Sequence, residues 1–167
     1  MKKFFILSLV FLLAGCIHAL SVELEIKYDR FKKQTVVSTK PYNIPLSKIC
    51  FSLLATFQGE TPIKPPETIL VGFDSKNNSW RFLTCNTTDL LLDNESLSLG
   101  EGKHRGDVLS SGGVFESIFY FISFDILKKI SEAKQIEGKI CNTEFILTPK
   151  EHQDIKDFIN IFSFNNN

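Results

Sequence analysis

The chain of 167 residues carries nineteen acidic and nineteen basic side chains, so it is neutral overall. No basic patch or stripe stands out, which argues against nucleic acid as a partner. The length suits one domain that buries ~68–70% of its unfolded surface and needs no metal or disulfide to fold.

Behind Lys2 and Lys3 runs Phe4 to Leu13, apolar apart from Ser8. About ten residues suit the h-region of a signal peptide and fall short of the ~20 that cross a bilayer as a helix. Small Ala14 and Gly15 then lead into Cys16. Leu13-Ala14-Gly15-Cys16 resembles the lipobox of bacterial lipoproteins. The resemblance implies removal of residues 1–15, lipid attachment at Cys16, and a mature protein held to a membrane of the cell envelope by its acyl chains. Each buried CH₂ contributes ~0.8 kcal/mol, so two or three chains hold far more firmly than a single myristoyl. Ile17 follows, where lipoproteins kept in the inner membrane commonly carry Asp, and this points to the outer membrane if the cell has one. The alternative is an ordinary secretory signal cut after Ala19, with bulky Ile17 where that peptidase prefers a small residue. From Cys16 onward the chain has 152 residues and a net charge of −2. Residues 16–21 form a short tether, of which Ile17 to Ser21 reach at most ~16–18 Å.

A β-rich domain is expected over residues 22–162. Val22 to Asp29 alternates apolar and charged, the pattern of a strand with one face in the core and one in water. Thr35 to Thr39 is rich in β-branched residues, and Ile49, Phe51, Leu53, Ala55 and Phe57 alternate again. Gly59 to Pro66 holds three prolines and reads as a loop. Ile69–Phe73 and Ser79–Leu83 flank the turn-rich Asp74 to Asn78 and read as a hairpin, with Trp80 in a core or inter-sheet position. Leu90–Leu92 and Leu97–Leu99 read as a second hairpin around Asp93-Asn94-Glu95. Gly100 to Gly113 is the longest irregular segment, and Val114 to Phe124 is a strand covered on both faces.

Helical signals come late. Ser123 or Asp125 caps a short helix carrying Ile126, Leu127, Ile130 and Ala133. Ile136 to Ile140 and Phe145 to Leu147 are strands joined around Asn142-Thr143. Thr148-Pro149-Lys150-Glu151 then writes a capping box with Pro at the first helical position. Ile155, Phe158, Ile159 and Phe162 follow as an apolar stripe, and 163–167 is a polar tail. Together these predict a mainly β protein, an antiparallel β-sandwich with a short helix and a C-terminal amphipathic helix; α+β is the alternative. From Leu97–His104 through Gly106-Asp107-Val108 to Glu144–Leu147 the chain also resembles small uncharacterised bacterial lipoproteins, a likeness that brings no functional residue.

With Cys16 acylated, Cys50, Cys85 and Cys141 remain. Three buried thiols are expected, with one disulfide and a free thiol as the alternative. No Cys/His spacing suggests zinc and no phosphate-binding glycine motif occurs, so neither a metal nor a cofactor is expected. Polar chemistry concentrates in Gly100–Gly113, where Lys103, His104, Arg105 and Asp107 share glycine-rich chain with Ser110 and Ser111. Residues so near in sequence rarely converge as a triad, and the Gly-x-Ser-x-Gly elbow is missing. A solvated connection is the plainer reading, and a binding loop the functional one. Arg105-Gly106-Asp107 also matches the integrin-ligand tripeptide, a match too short to carry weight. His18 and His152 have no evident partner, and the three Asn-x-Ser/Thr matches matter only in a eukaryotic secretory pathway. The expectation is a membrane-anchored envelope lipoprotein, a non-enzymatic binding or structural module of unknown ligand, with an envelope or host protein as the partner. The alternative is a membrane-tethered hydrolase with its site near Gly100–Gly113.

Overall fold

The computed structural model describes residues 24–44 and 47–163, with Tyr42 as backbone only. Cys16, the tether, Val22, Glu23 and the last four residues lie outside the described residues.

Among the described residues, eleven strands and two helices follow one another as β1 (Leu24–Asp29), β2 (Gln34–Thr39), β3 (Tyr42–Ile44), β4 (Ile49–Gln58), β5 (Ile69–Asn77), β6 (Thr87–Leu92), β7 (Glu95–Glu101), β8 (Lys103–Val108), β9 (Val114–Ile122), α1 (Phe124–Glu132), β10 (Ile136–Ile140), β11 (Thr143–Ile146) and α2 (Pro149–Asn160). Sheet A has the order β1-β2-β4-β5-β9-β8, with β3 beside β4, and sheet B the order β11-β10-β6-β7. All ladders are antiparallel, as a mainly β sandwich requires.

Phe73 joins the two sheets. Its ring lies 5.5 Å from Phe51 and 6.1 Å from Tyr120 within sheet A, and 5.8 Å from Phe145 of sheet B. Phe145 in turn lies against the backbone of Gly138 on the neighbouring strand, where a Cβ would overlap the ring. The helices extend the same core. Phe162, just past α2, meets Phe57 of β4, Phe124 of α1 and Phe158 of α2 with centroids 5.9, 6.2 and 5.6 Å away.

The late helical signals appear as expected. Ser123 Oγ accepts from the Ile126 amide. Thr148 Oγ1 accepts from the Glu151 N–H while Glu151 Oε2 accepts from the Thr148 N–H, so both halves of the capping box form. Asp93 and Asn94, both at positive φ (49° and 80°), turn the β6–β7 hairpin as two-residue turns of that hand do.

Five expectations fail. β1 does pair with β2, but Ile26 and Tyr28 on its core side are exposed, because α2 packs over β2 and leaves the edge strand uncovered. Asp74 to Asn78 is no turn: β5 runs through it, paired with β4 up to Ser75 and with β9 to Asn77, and ladder bonds from its neighbours override local turn preference. Residues 79–83 are therefore irregular, and Trp80 is partly exposed rather than in the core. On β9 the outer face is covered only in the middle, at Ser117 and Phe119, while Phe115 and Phe121 are exposed. Gly100–Gly113 is mostly strand, the end of β7 and all of β8, and only 109–113 turns. Finally, Cys85 and Cys141 form a disulfide and Cys50 is the free thiol. The bridge sits where the β10–β11 turn meets the start of β6, and the Cys141 N–H donates to the Thr87 carbonyl (3.1 Å).

Candidate functional site

His104, read from sequence as a loop residue, lies on β8 opposite Ile118 of β9. Alternation along the strand turns His104 and Gly106 toward one face and Lys103, Arg105 and Asp107 toward the other. The expected polar cluster is thus split. Lys103 holds its ammonium 5.1 Å over the Phe121 ring on the outer face, and Arg105 and Asp107 are exposed.

His104 meets a group that composition alone did not single out. Glu116 of β9 is fully buried, and its Oε1 lies 3.2 Å from His104 Nε2. The same carboxylate accepts from the Arg81 amide on Oε2 (2.6 Å) and from the Phe82 amide on Oε1 (3.0 Å). Arg81 then spans the sandwich. Its Nη1 donates to the Ser47 carbonyl (3.0 Å) and, at 3.4 Å, to Ser75 Oγ of sheet A, and its Nη2 donates to Thr143 Oγ1 of sheet B (2.8 Å). Trp80 covers the cluster, its ring 6.3 Å from that of His104 and seated on Gly106, where a Cβ would collide with the indole.

A buried carboxylate is tolerated only when hydrogen bonds replace its lost water. Glu116 has them in the chain itself: two backbone N–H groups and an imidazole. The cluster therefore clamps the strandless segment 78–86 onto the end of the sandwich. A signal was present in the sequence, since Glu116 is the lone acid inside the apolar run Val114 to Phe124. Removing the imidazole takes one donor from a buried acceptor. His104→Ala is accordingly expected to lower stability by about 1–3 kcal/mol, whereas Asp107→Ala on the exposed face should stay within about 0.5 kcal/mol. Urea denaturation of both variants reads the difference, and equal small losses would place His104 in solvent.

Cys50, on the outer face of sheet A, holds its thiol 3.0 Å from Asn43 Oδ1. Burial, with the Asp74 carboxylate second, raises its pKa, which keeps it in the unreactive thiol form. Burial likewise raises the pKa of the Tyr120 hydroxyl, which donates to the Asn86 carbonyl (2.7 Å) and shares a second hydrogen bond with the Thr88 hydroxyl (2.8 Å). Among the described residues no cluster of His, Cys, Asp and Glu is arranged to hold a metal ion, and no helix is long and apolar enough to cross a membrane.

A groove of about 800 Å³ opens on the outer face of sheet B. Two cross-strand rows floor it: Ile146, Glu137 and Leu91 in one, Glu144, Lys139 and Asp89 in the next. No family model, curated protein or solved structure matches the chain. Its chemistry is therefore read from the groove itself. Three carboxylates against one ammonium, Lys139, which lies 3.8 Å from Glu144, leave the floor acidic. Leu91 and the exposed Ile146 add apolar surface. β11 pairs with β10 on one side, and no strand among the described residues pairs with its other edge. Such a floor offers polar and apolar contacts to a ligand.

Proposed function

We propose that the protein is a lipid-anchored module of the bacterial cell envelope that binds another envelope component or a host protein and catalyses nothing. The address rests on the lipobox-like Leu13-Ala14-Gly15-Cys16 behind its short apolar run. Binding is supported most directly by the acidic groove beside the β11 edge that no described strand pairs, which combines a strand edge with flanking polar and apolar contacts. The hydrolase alternative gains no support of its own: His104 is engaged by Glu116, and no contact joins it to Ser110 or Ser111 among the described residues.

Two experiments test the two halves. Cys16→Ala is expected to abolish incorporation of labelled palmitate and to stall the precursor at full length. Normal processing of that variant would mean that another peptidase cuts the chain and that the anchor is absent. For binding, a photo-crosslinking side chain at Ile146 should capture a discrete partner in intact membranes, while one at exposed Val108, outside the groove, should not. Capture at both positions alike, or at neither, would contradict a binding role for the groove.

A further inference from the structure

The two most exposed large apolar side chains of the described residues lie on neighbouring loops. Phe31, 85% exposed, tops the β1–β2 turn, and Ile63, 87% exposed, tops the loop between β4 and β5. The two loops are tied at their base, where the Gly59 N–H donates to the Lys33 carbonyl (2.7 Å) and Thr35 Oγ1 donates to the Gly59 carbonyl (2.5 Å). An exposed phenylalanine at the apex of a turn gains nothing from folding, since it stays in water in both states. Here it is held outward: Asp29 Oδ1 accepts from the Phe31 and Lys32 amides and fixes the turn from inside.

Arg30, Lys32 and Lys33 place three cations within four residues beside the single acid Asp29, 3.9 Å from Lys32, whereas Lys64, next to Ile63, is paired with Glu67 at 2.9 Å in a loop that also holds Glu60, so the excess positive charge lies on the β1–β2 turn. The Arg30 guanidinium lies 4.9 Å over the Phe31 ring, which leaves the far side of that ring open. Ile26 and Tyr28, the uncovered side chains of β1, extend apolar surface from this tip back toward Leu24. Apolar apices beside a turn with excess positive charge suit the boundary between headgroups and acyl chains of an anionic bilayer, where the apolar side chains enter and the cations meet phosphate.

We infer that this end of the molecule, Phe31 and Ile63 with the basic β1–β2 turn, docks into the anionic lipid surface to which the chain is anchored. The inference rests on the lipid-anchor reading, and covalent reach permits it. From Cys16 to Leu24 the chain spans at most ~26–29 Å, whereas β1 covers only ~17 Å between Leu24 and Asp29. An acylated Cys16 can thus lie in the plane of the tip. The docked domain would be fixed in orientation, with the Trp80–His104 end of sheet A pointing away from the lipid.

Trp80 is the only tryptophan, so it reports on that far end without modification. The full-length protein is purified from membranes and reconstituted into phosphatidylcholine vesicles with and without phosphatidylglycerol, carrying spin-labelled lipids as quenchers. Phe31→Trp in a Trp80→Phe background reads the tip, and Ile63→Trp in the same background reads it independently should the first variant misfold. The expected result is strong quenching at both tip positions that grows with phosphatidylglycerol, and none of Trp80 in the unmodified chain. Unquenched tip positions, or quenching of Trp80 in their place, would overturn the docking. The intact mass of each preparation reports acylation separately. A chain without acyl groups ends the anchor reading alone, and quenching with vesicles in excess still decides whether the tip docks.

Discussion

Phe158→Ala is expected to lower the unfolding free energy by about 3–5 kcal/mol, the range for deleting a fully buried aromatic ring and leaving a cavity. Phe158 is completely buried on α2 and meets Phe162, which in turn touches Phe57 of sheet A and Phe124 of α1. Loss of the ring should therefore loosen the helical end of the core and not α2 alone. Thr148→Ala removes one acceptor from the start of the same helix and should cost only about 0.5–2 kcal/mol. Chemical denaturation of both variants gives the comparison. Equal losses would mean that α2 is not docked on the sheet.

The disulfide should matter as much. Cys85 and Cys141 are 56 residues apart, and in the chain-entropy model closing a loop of that length stabilises by about 4 kcal/mol. Cys85→Ala with Cys141→Ala is expected to reduce stability by about that amount, and dithiothreitol should do the same to the unmodified chain while leaving the double variant unchanged. An unmodified chain indifferent to reductant would show that the two sulfurs are not joined. The bridge fits an exported protein, since such bonds persist in oxidising compartments and are rare where glutathione keeps thiols reduced.

How much could be read beforehand depended on how local the cause was. Thr148, Pro149 and Glu151 act within one helical turn, so the capping box was legible in four letters. The Asp93-Asn94 turn is equally local. β8 was not legible, because Lys-His-Arg-Gly-Asp-Val shows no apolar alternation. Its inward positions are filled by a histidine that answers a buried glutamate and a glycine that answers a tryptophan, both partners supplied from far along the chain. The same holds for Asp74 to Asn78, whose turn-forming residues are held in β5 by strands on either side. Alternation in β1 announced a strand, but nothing in it tells how far α2 reaches. Cysteine spacing does not encode pairing, so Cys85 and Cys141 could be joined only once the β10–β11 turn was seen beside the start of β6. The groove on sheet B was invisible for a related reason, as its floor takes side chains from β6, β10 and β11 that are scattered over more than fifty residues.

The claim that the chain is anchored by lipid is tested most directly by the intact mass of the protein extracted from membranes. The expected product is a polypeptide that begins at Cys16 and is heavier than residues 16–167 by the mass of a diacylglycerol, with or without a further acyl chain. An unmodified polypeptide beginning at Leu20, the product of cleavage after Ala19, would contradict it.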